Sequence, residues 1–544
     1  MQLSAQTFES ATDAVGRFGV GWNLGNTLDS NNGNACPDIV QSETMWGQPV
    51  TQPELFHMLH AAGFGAIRVP VTWYPHMDGS GKVDAAWMQR VHEVVDYVLA
   101  SGMYCILNVH HDTGNGDGHW ITAATQVYDA TKERYELLWQ QIAEEFRDYG
   151  EQLLFEAYNE MTDKYKSWCF ASFASPSGYN AADAADAYQA VNSYAQSFVN
   201  TVRATGGNNS QRNLVVNTYA ACCGSGTWNS HLKDPLKEML LPQDDAAGHL
   251  LFQVHSYPSV NNIGSVKSEI DDLMSALTTY LVGKGAPVII GEWGTANNGE
   301  DDYLVRRQNV LTFADYFVKK AKDAGIGTFW WMGISDGVCR SLPAFSQPDL
   351  ALTILQAYHG SDYSPVLPRE DDYDIWYTVN YTGQWQELNL CNMQFSLDDY
   401  KAVKVVFDEA PKSGCLSVKA YGANGKEQYA GLSQQLTSTV SFNRGTLGGT
   451  VQRVTLQYGK TDDYSIGVRR VCLVRTDGSE EEMRVSPFWG CTVEAHAALK
   501  PSGIDDACVQ APHGSGAVYS LSGQRVGTSF RGICIRNGRK YVRP

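Results

Sequence analysis

Short apolar runs alternate with longer amphipathic stretches along the first 360 residues. The apolar runs have the length of buried strands and cover residues 18–24, 66–71, 104–109, 153–158, 214–217, 250–255, 288–291 and 328–332. The stretches between them repeat with the period of a helix and cover residues 52–62, 85–100, 132–149, 181–204, 266–282 and 303–324. Strands that are separated by helical crossovers pair in parallel, so the pattern predicts an α/β fold with a parallel sheet.

Eight such strands favour a closed (β/α)8 barrel, the TIM-barrel fold, over an open doubly wound sheet. No glycine-rich GxGxxG or Walker loop follows any of these strands, which argues against a nucleotide-binding fold. In a barrel of this kind the active site lies at the carboxyl ends of the strands. Candidate catalytic residues are therefore expected at these strand ends.

The pattern changes after residue 371. Runs at 401–407, 416–421, 451–458 and 465–474 alternate with a period near two and are separated by Gly, Asn and Asp turns, which predicts an all-β sandwich. A small hairpin is predicted at residues 517–521 and 532–535. The expected organisation is a (β/α)8 domain at 1–360, a β-sandwich at 371–500 and a small basic tail at 510–544.

The net charge of the chain argues against some classes of binding partner. The 544 residues include 41 Lys and Arg against 59 Asp and Glu, a formal net charge of −18. A chain this acidic is a poor candidate for binding nucleic acid or an anionic membrane, and no apolar run is long enough to span a bilayer. No signal peptide is visible at the start. The 12 cysteines are too sparse for a disulfide scaffold, although one or two disulfides are compatible with them.

Polar and aromatic residues lie within or directly after the predicted strands, towards their carboxyl ends. They are Arg68, the run Asn108-Val109-His110-His111-Asp112, Tyr158-Asn159-Glu160, His255-Ser256-Tyr257, Gly291-Glu292-Trp293 and Trp330-Trp331. Glu160 and Glu292 each interrupt a buried-strand pattern, where a charge is costly. Their strands, the fourth and the seventh, face each other across the barrel mouth. Two carboxylates across a cleft are what cleavage of a glycosidic bond requires. The alternative is that either Glu is a structural ion-pair partner, for example of Arg68.

The motifs around these residues resemble glycoside hydrolase family 5. The resemblance covers roughly residues 15–355 and rests on motifs in the family's order: Gly21-Trp22-Asn23-Leu24-Gly25-Asn26-Thr27, Glu43-Thr44-Met45-Trp46-Gly47, Arg68-Val69-Pro70-Val71-Thr72-Trp73, Asn108-Val109-His110-His111, Asn159-Glu160, His255-Ser256-Tyr257 and Gly291-Glu292. The set is most similar to the subfamily of endo-β-1,4-glucanases, lichenases and xyloglucan-specific endoglucanases. It implies that Glu160 is the general acid/base and Glu292 the nucleophile.

The resemblance also implies roles for the neighbours of these carboxylates. Arg68 and Tyr257 would hold Glu292 ionised through hydrogen bonds. His255 would lie near Glu160 and help to set its protonation. Two residues at which the chain departs from the family pattern, Met161 and Met332, replace no catalytic group.

Other matches imply contacts with the sugar. Asn159 would bind the 2-hydroxyl of the −1 sugar, and His110 another hydroxyl. Trp331 would form the floor of the −1 subsite, with Trp330 as the competing choice. Two further residues complete the expected substrate-binding set, Asn26 and His111. No metal and no cofactor are expected, because His110 and His111 would point to opposite sides of a strand and no third ligand has metal spacing.

The sequence therefore predicts a secreted, cell-surface or periplasmic enzyme that cleaves internal linkages of cellulose, xyloglucan or mixed-linkage β-glucan with retention of configuration. Its partner would be the glucan, and a monomer is expected. Retention predicts about 5–5.5 Å between the two carboxyl groups. The alternatives are a β-mannanase of the same fold and a catalytically silent glycan-binding protein.

The second domain has two interpretations. Its strands, with Trp376, Trp385 and Trp489, resemble the β-sandwich modules of secreted glycanases, which bind carbohydrate. An immunoglobulin-like spacer is the alternative. The tail resembles the terminal cap of many secreted bacterial polysaccharide-processing proteins, which also argues for export.

Overall fold

The computed structural model divides into two compact units, Met1–Glu370 and Asp371–Pro544. The structure describes residues 7–114, 116, 118–167, 179–224, 232–295, 300–331, 340, 342, 344–369, 372–391, 393–500, 518–520, 532–536 and 539–543. Within these residues, no helix has both the length and the apolar character that a bilayer crossing needs.

The first unit is a closed barrel of eight parallel strands, which confirms the predicted fold. The strands pair in chain order, β8 closing on β1: β1 Val20–Asn23, β2 Phe64–Val69, β3 Tyr104–Asn108, β4 Leu153–Glu156, β5 Leu214–Asn217, β6 Leu250–Ser256, β7 Val288–Trp293 and β8 Gly327–Trp330. Helices accompany the strands: α1 Ala11–Arg17, α2 Ile39–Thr44, α3 Pro53–Ala62, α4 Ala85–Ala100, α5 Thr125–Glu145, α6 Ala181–Ala204, α7 Pro235–Glu238, α8 Ile263–Tyr280, α9 Glu300–Asp323 and α10 Pro348–His359.

Helix α4 shows how the sequence sets these elements. The side chain of Asp84 caps its first turn by accepting hydrogen bonds from the N–H groups of Ala86 and Trp87. Its buried side chains recur every three or four residues, which places them on one face: Trp87, Val91, Val94, Val95 and Val98. The helix ends before Gly102, whose φ of 93° few other residues adopt.

The barrel interior is filled by one apolar side chain from most strands. This layer comprises Ala66, Ile106, Leu154, Val215, Leu251, Ile289 and Phe329. On β1 the equivalent position is Gly21, where a Cβ would lie 2.3 Å from the ring of Phe329. The layer closes the lower part of the barrel, so chemistry is confined to its upper rim.

The second unit contains two antiparallel sheets, as predicted for a sandwich. One has the order β14-β13-β16-β10-β19 with β11 beside β16, and the other β15-β12-β17-β9-β20 with β18 beside β17. Their bounds are β9 Tyr373–Tyr381, β10 Glu387–Cys391, β11 Phe395–Ser396, β12 Tyr400–Phe407, β13 Leu416–Gly422, β14 Glu427–Gly431, β15 Thr437–Ser441, β16 Thr450–Tyr458, β17 Tyr464–Arg475, β18 Glu480–Met483, β19 Ser486–Trp489 and β20 Thr492–Leu499, with a short helix α11, Arg444–Leu447.

The tail is more than the predicted hairpin. Strands β21 Val518–Ser520 and β22 Gly532–Arg536 pair as expected, and a third strand, β23 Arg539–Arg543, adds to β22. Strand β23 was not predicted, because the basic residues at both of its ends leave only a short apolar alternation in the sequence. Residues 510–517 and 521–531 lie outside the described part of the chain, and the tail as a separate domain stays a prediction.

Candidate active site

A polar layer lies directly above the apolar plug of the barrel. Side chains on one face of a strand recur every two residues, so the residue two positions after each plug residue also points inward. These positions hold Asn23, Arg68, Asn108, Glu156, Asn217, Gln253, Gly291 and Trp331. Six of the eight are polar and fully buried. A buried polar layer needs internal partners, and a hydrogen-bond network supplies them.

Arg68 is the centre of this network. Its Nε and Nη2 donate to the two oxygens of Glu156 at 2.6 and 2.8 Å, which forms a bidentate pair with no solvent exposure. Glu156 also accepts hydrogen bonds from the amides of Asn108 and Asn217. The guanidinium is thereby fixed in one orientation.

The remaining donors of Arg68 point at the two sequence-predicted residues of the rim. Nη1 donates to Oε1 of Glu292 at 2.7 Å, and Nη2 donates to Oδ1 of Asn159 at 2.8 Å. Nη1 also donates to Asn23, whose amide donates in turn to the carbonyls of Gly291 and Phe329. With its carbonyl engaged by Arg68, Asn159 has its Nδ2 amide left to donate to a ligand.

Glu160 and Glu292 approach each other as the sequence predicts. One oxygen of each carboxyl group and a ring nitrogen of His255 lie within 4.8 Å of one another. His255 Nδ1 is 2.7 Å from Oε1 of Glu160 and 3.4 Å from Oε2 of Glu292. The hydroxyl of Tyr257 donates to Oε2 of Glu292 at 2.7 Å.

The surroundings separate the two carboxyl groups electrostatically. Burial, and then the charge of Glu292, raise the pKa of Glu160 well above its usual value. Burial also raises the pKa of Glu292, but the charge of Arg68 and the hydrogen bond from Tyr257 oppose that rise. Glu160 is thus the group that keeps a proton, and Glu292 is the group that ionises first.

His255 is a neutral donor to Glu160. Burial, followed by the charge of Arg68, lowers the pKa of His255 well below its usual value. The amide Nε2 of Gln253 lies 3.3 Å from Nε2 of this ring, so it donates there and assigns the ring proton to Nδ1. Nδ1–H then donates to Oε1 of Glu160 and leaves the second oxygen of Glu160 to carry the acidic proton.

Trp331, and not Trp330, lies beside the other residues of the candidate site. Trp330 is 5% exposed and belongs to the packed core, whereas Trp331 is half-buried and stacks on His110 with ring centroids 5.8 Å apart and an interplanar angle of 10°. Asn108 Nδ2 donates to Nδ1 of His110 at 3.0 Å. His110 is buried and neutral, since burial lowers its pKa well below the usual value, and its proton lies on Nε2.

His111 corrects one expectation from the sequence. The rings of His110 and His111 lie 4.5 Å apart and do not point to opposite sides, because β3 ends at Asn108 and strand alternation no longer applies. His111 also contacts the ring of Trp46 and lies 3.6 Å from Asp29. Asn26, also predicted in the substrate-binding set, is half-buried after β1 with φ 59°.

Among the residues that the structure describes, two groups of side chains have donor atoms close enough for a cation. Asp29, His110 and His111 form one, and Glu160, His255 and Glu292 the other. In the first group, the hydrogen bond from Asn108 to Nδ1 leaves the proton of His110 on Nε2, so this ring ligates only after a change of tautomer. In the second, Arg68 already supplies a positive charge to Glu292.

Comparison with known proteins agrees with this arrangement. The sequence profile described as cellulase (glycosyl hydrolase family 5) matches residues 28–337, more than half of the chain. The chain belongs to glycoside hydrolase family 5. Endoglucanase B of Neocallimastix patriciarum is 35% identical over 337 residues, which are 59% of this chain and 64% of that protein. The chain therefore spans less than two thirds of that relative's length.

Solved structures of family 5 proteins match the first unit. A GH5-4 broad specificity endoglucanase from an uncultured bacterium is 57% identical, with a TM-score of 0.63, and covers 66% of this chain and 98% of that chain. A family 5 enzyme from Prevotella bryantii B14, solved as a mutant in complex with a xyloglucan tetradecasaccharide, is 41% identical, with a TM-score of 0.58, and covers 65% of this chain and 100% of that chain.

The sequence prediction omitted several residues of the buried network around Arg68. Glu156, Asn217 and Gln253 were absent from the predicted set, although each lies two residues after an apolar plug position. Glu156 had the clearest signal, because it is a charged residue inside the run Leu153-Leu154-Phe155-Glu156-Ala157-Tyr158. Glu160 lies four residues later in the motif Asn159-Glu160, so the prediction gave a role to Glu160 and none to Glu156.

Proposed function

We propose that the chain is a retaining endo-β-1,4-glucanase that acts on cellulose, xyloglucan or mixed-linkage β-glucan. The observation that carries the proposal is the approach of Glu160 and Glu292 to within 4.8 Å between their nearest oxygens. Retaining glycosidases hold their two carboxyl groups about 5–5.5 Å apart, whereas inverting enzymes need about 6.5–9.5 Å to admit a water molecule. The close pair therefore favours retention.

In the first step, an oxygen of Glu292 attacks the anomeric carbon as the glycosidic bond breaks. Glu160 gives its proton to the departing oxygen, so the leaving chain departs neutral. Arg68 and Tyr257 keep Glu292 ionised and aligned, while the Nδ2 amide of Asn159 donates to the 2-hydroxyl of the sugar. The product of this step is a covalent glycosyl ester on Glu292.

In the second step, water replaces the leaving chain. Glu160, now ionised, takes a proton from that water, and the resulting oxygen attacks the anomeric carbon and releases Glu292. Two inversions at one carbon restore the starting configuration. His255 stays neutral throughout and donates to Glu160, which stabilises the ionised form that this step requires.

The proposed substrate class draws on the relatives. Curated relatives carry the name endoglucanase, and one structural relative holds a xyloglucan oligosaccharide. Trp331 offers the planar apolar surface against which a sugar ring stacks. Since polymeric glucan cannot cross a membrane, we infer that the enzyme acts outside the cytoplasm.

Product analysis tests the proposal. The purified chain is incubated with xyloglucan, mixed-linkage β-glucan, carboxymethyl cellulose and mannan, and the released oligosaccharides and their initial anomeric form are followed by proton NMR. We expect internal cleavage of the β-glucans and an initial β-anomer. An initial α-anomer would contradict retention, and hydrolysis of mannan alone would replace the glucanase by a mannanase.

A further inference from the structure

The outward-pointing side chains of one sandwich sheet are polar, and most of them are less than a tenth exposed. Side chains alternate along its strands, so Leu388, Val418 and Leu456 point to the hydrophobic interior, and their neighbours point outward. We call the outward set the polar face: Glu387, Asn389, Lys419, Tyr421, Thr455 and Gln457. Strand register places these residues side by side on β10, β13 and β16.

The polar face is organised around a buried carboxylate. Glu387 is 5% exposed and accepts hydrogen bonds from Tyr421 at 2.5 Å, Thr455 at 2.7 Å and Gln457 at 2.8 Å. Lys419 lies 3.4 Å from Glu387 and 3.3 Å from Glu427 of β14. Burial disfavours the charge on Glu387, but these hydrogen bonds outweigh it and lower its pKa. The centre of the face is therefore charged and rigid.

One polar atom of this face lacks a partner. Asn389 is 5% exposed and its Nδ2 donates to Ser486, but its Oδ1 is buried with no hydrogen bond among the residues that the structure describes. A buried unpaired acceptor costs free energy unless a donor from outside reaches it. Asn389 is therefore the member of the polar face whose hydrogen bonds the described residues leave incomplete.

Exposed aromatic rings flank the polar face. Tyr429 pairs with Lys419 across the strands and is 55% exposed, and Trp489 pairs with Glu387 and is 67% exposed. Trp385, two residues before Glu387, is 57% exposed and has φ 69°, a left-handed conformation that bulky residues rarely adopt. Exposed rings beside fixed polar groups are suited to sugars, whose C–H faces stack while their hydroxyls form hydrogen bonds.

The charged groups of the face are paired with one another. Lys419 lies 3.4 Å from Glu387 and 3.3 Å from Glu427, and Arg453 lies over the ring of Phe488 on the adjacent β19. We propose that the polar face and its flanking rings form a second glycan-binding site, separate from the barrel, and that its ligand is a neutral β-glucan chain. The neutral sugar follows from the face itself, whereas the choice of β-glucan rests on the proposed function.

Native gel electrophoresis through polysaccharide tests this site. The full chain carries Glu292→Gln, so that it binds without hydrolysis, and is compared with the same chain bearing Trp489→Ala or Tyr429→Ala. Xyloglucan, mixed-linkage β-glucan, mannan and polygalacturonate are the probes. We expect each ring deletion to weaken the retardation by a β-glucan about threefold to tenfold, the range for loss of one aromatic contact. Both residues are exposed, so the fold should survive, as thermal melting checks.

Trp376→Ala is the matched control, because Trp376 lies on β9 in the other sheet. It should leave the retardation unchanged. Equal retardation of parent, Trp489→Ala and Tyr429→Ala would overturn the proposal, as would stronger binding to polygalacturonate than to the neutral polymers.

Hydrolysis separates this proposal from the one for the barrel. In the chain with intact Glu292, Trp489→Ala should leave kcat/KM on cellotetraose unchanged. A chain that hydrolyses no glucan but loses retardation with Trp489 would refute the proposed activity and keep the second site. A chain that hydrolyses glucan normally and binds it independently of Trp489 and Tyr429 would support the proposed activity and refute the second site.

Discussion

At the scale of single residues, a charge balance decides the chemistry. Arg68 is the positive charge at the centre of the buried layer, and two carboxylates, Glu156 and Glu292, hydrogen-bond to it directly. Adding an ionised Glu160 would place a second uncompensated negative charge within a few ångströms in a medium of low polarity. Glu160 therefore stays protonated until the reaction takes its proton. In the proposed mechanism, the same three-carboxylate arrangement would make Glu160 the acid and Glu292 the nucleophile.

Removing the nucleophile tests its assigned role. Glu292→Ala should abolish turnover of β-glucan while leaving the affinity for cellotetraose within about threefold, because Trp331, Asn159 and His110 still line the site. Steady-state hydrolysis and calorimetric titration measure the two effects. Added azide should restore cleavage of an activated glycoside, since a small anion fits where the carboxylate was removed. Normal turnover by this variant would exclude Glu292 from the mechanism.

Glu156 offers a second test, of positioning and not of direct chemistry. The charge of Glu156 contributes to the raised pKa of both Glu160 and Glu292. Glu156→Gln removes that charge, so both pKa values should fall and both limbs of the kcat/KM profile should move to lower pH. We also expect kcat to fall by about 10²-fold, because Arg68 loses its bidentate partner.

A matched variant separates this effect from loss of stability. Glu43 is also buried and forms a two-point pair with Arg90 at 2.8 and 3.0 Å. Glu43→Gln should destabilise the fold by a similar amount and leave the pH profile in place. If Glu43→Gln and Glu156→Gln move the profile equally, Glu156 has a structural role only.

The sequence pointed to only part of this network. Arg68, Glu160, His255, Tyr257 and Glu292 are charged or aromatic residues in motifs that follow apolar runs, where they are easily noticed. Asn217 and Gln253 are uncharged residues of β5 and β6, and their polarity is explained only when eight inward positions meet in one layer. These positions meet only because the barrel closes, and the order of residues along the chain does not show this.

At the scale of elements, β1 and β8 meet through a glycine. A Cβ at Gly21 would lie 2.3 Å from the ring of Phe329, which is buried in the plug of the barrel. Gly21→Ala should therefore destabilise the barrel by about 1–3 kcal/mol, the usual cost of overpacking. Chemical denaturation followed by tryptophan fluorescence measures the change.

Gly16 provides the contrast within helix α1. Nothing lies within 4 Å of a Cβ at this exposed position, and its backbone is helical. Gly16→Ala should stabilise the fold by about 0.5–1 kcal/mol, because alanine loses less backbone entropy in a helix. If both alanine variants change the free energy of unfolding in the same direction, the close approach of β1 to Phe329 does not determine the effect of Gly21→Ala.

The predicted strands of the barrel were more accurate than the predicted helices. All eight barrel strands follow from short apolar runs, because a strand that is covered on both faces needs no polar position. The helix predicted at 132–149 instead begins at Thr125, since its first two turns bury few side chains. Helix α1 was missed because it has only seven residues and precedes the first strand. Helix α10 was also missed, although it follows β8 and its buried residues recur with the period of a helix.

At the scale of the whole molecule, the chain divides into two compact units. The two family 5 structures described above are covered over 98% and 100% of their length, yet they align with only 66% and 65% of this chain. Those barrels thus fold without a counterpart of the second unit. Residues 1–370 of this chain should likewise fold alone, with a cooperative thermal transition and the kcat/KM of the full chain on cellotetraose.

Polymeric substrates should distinguish the two forms. If the polar face binds glucan, the full chain has two contacts with one polymer, and the second contact benefits from a high effective concentration. Truncation at residue 370 should then raise KM for xyloglucan or mixed-linkage β-glucan several-fold and leave kcat unchanged. The substitution Trp489→Ala in the full chain should reproduce part of that rise. An equal KM for both forms on polymer would mean that the sandwich contributes no binding to catalysis, and an insoluble barrel would show that its fold depends on the second unit.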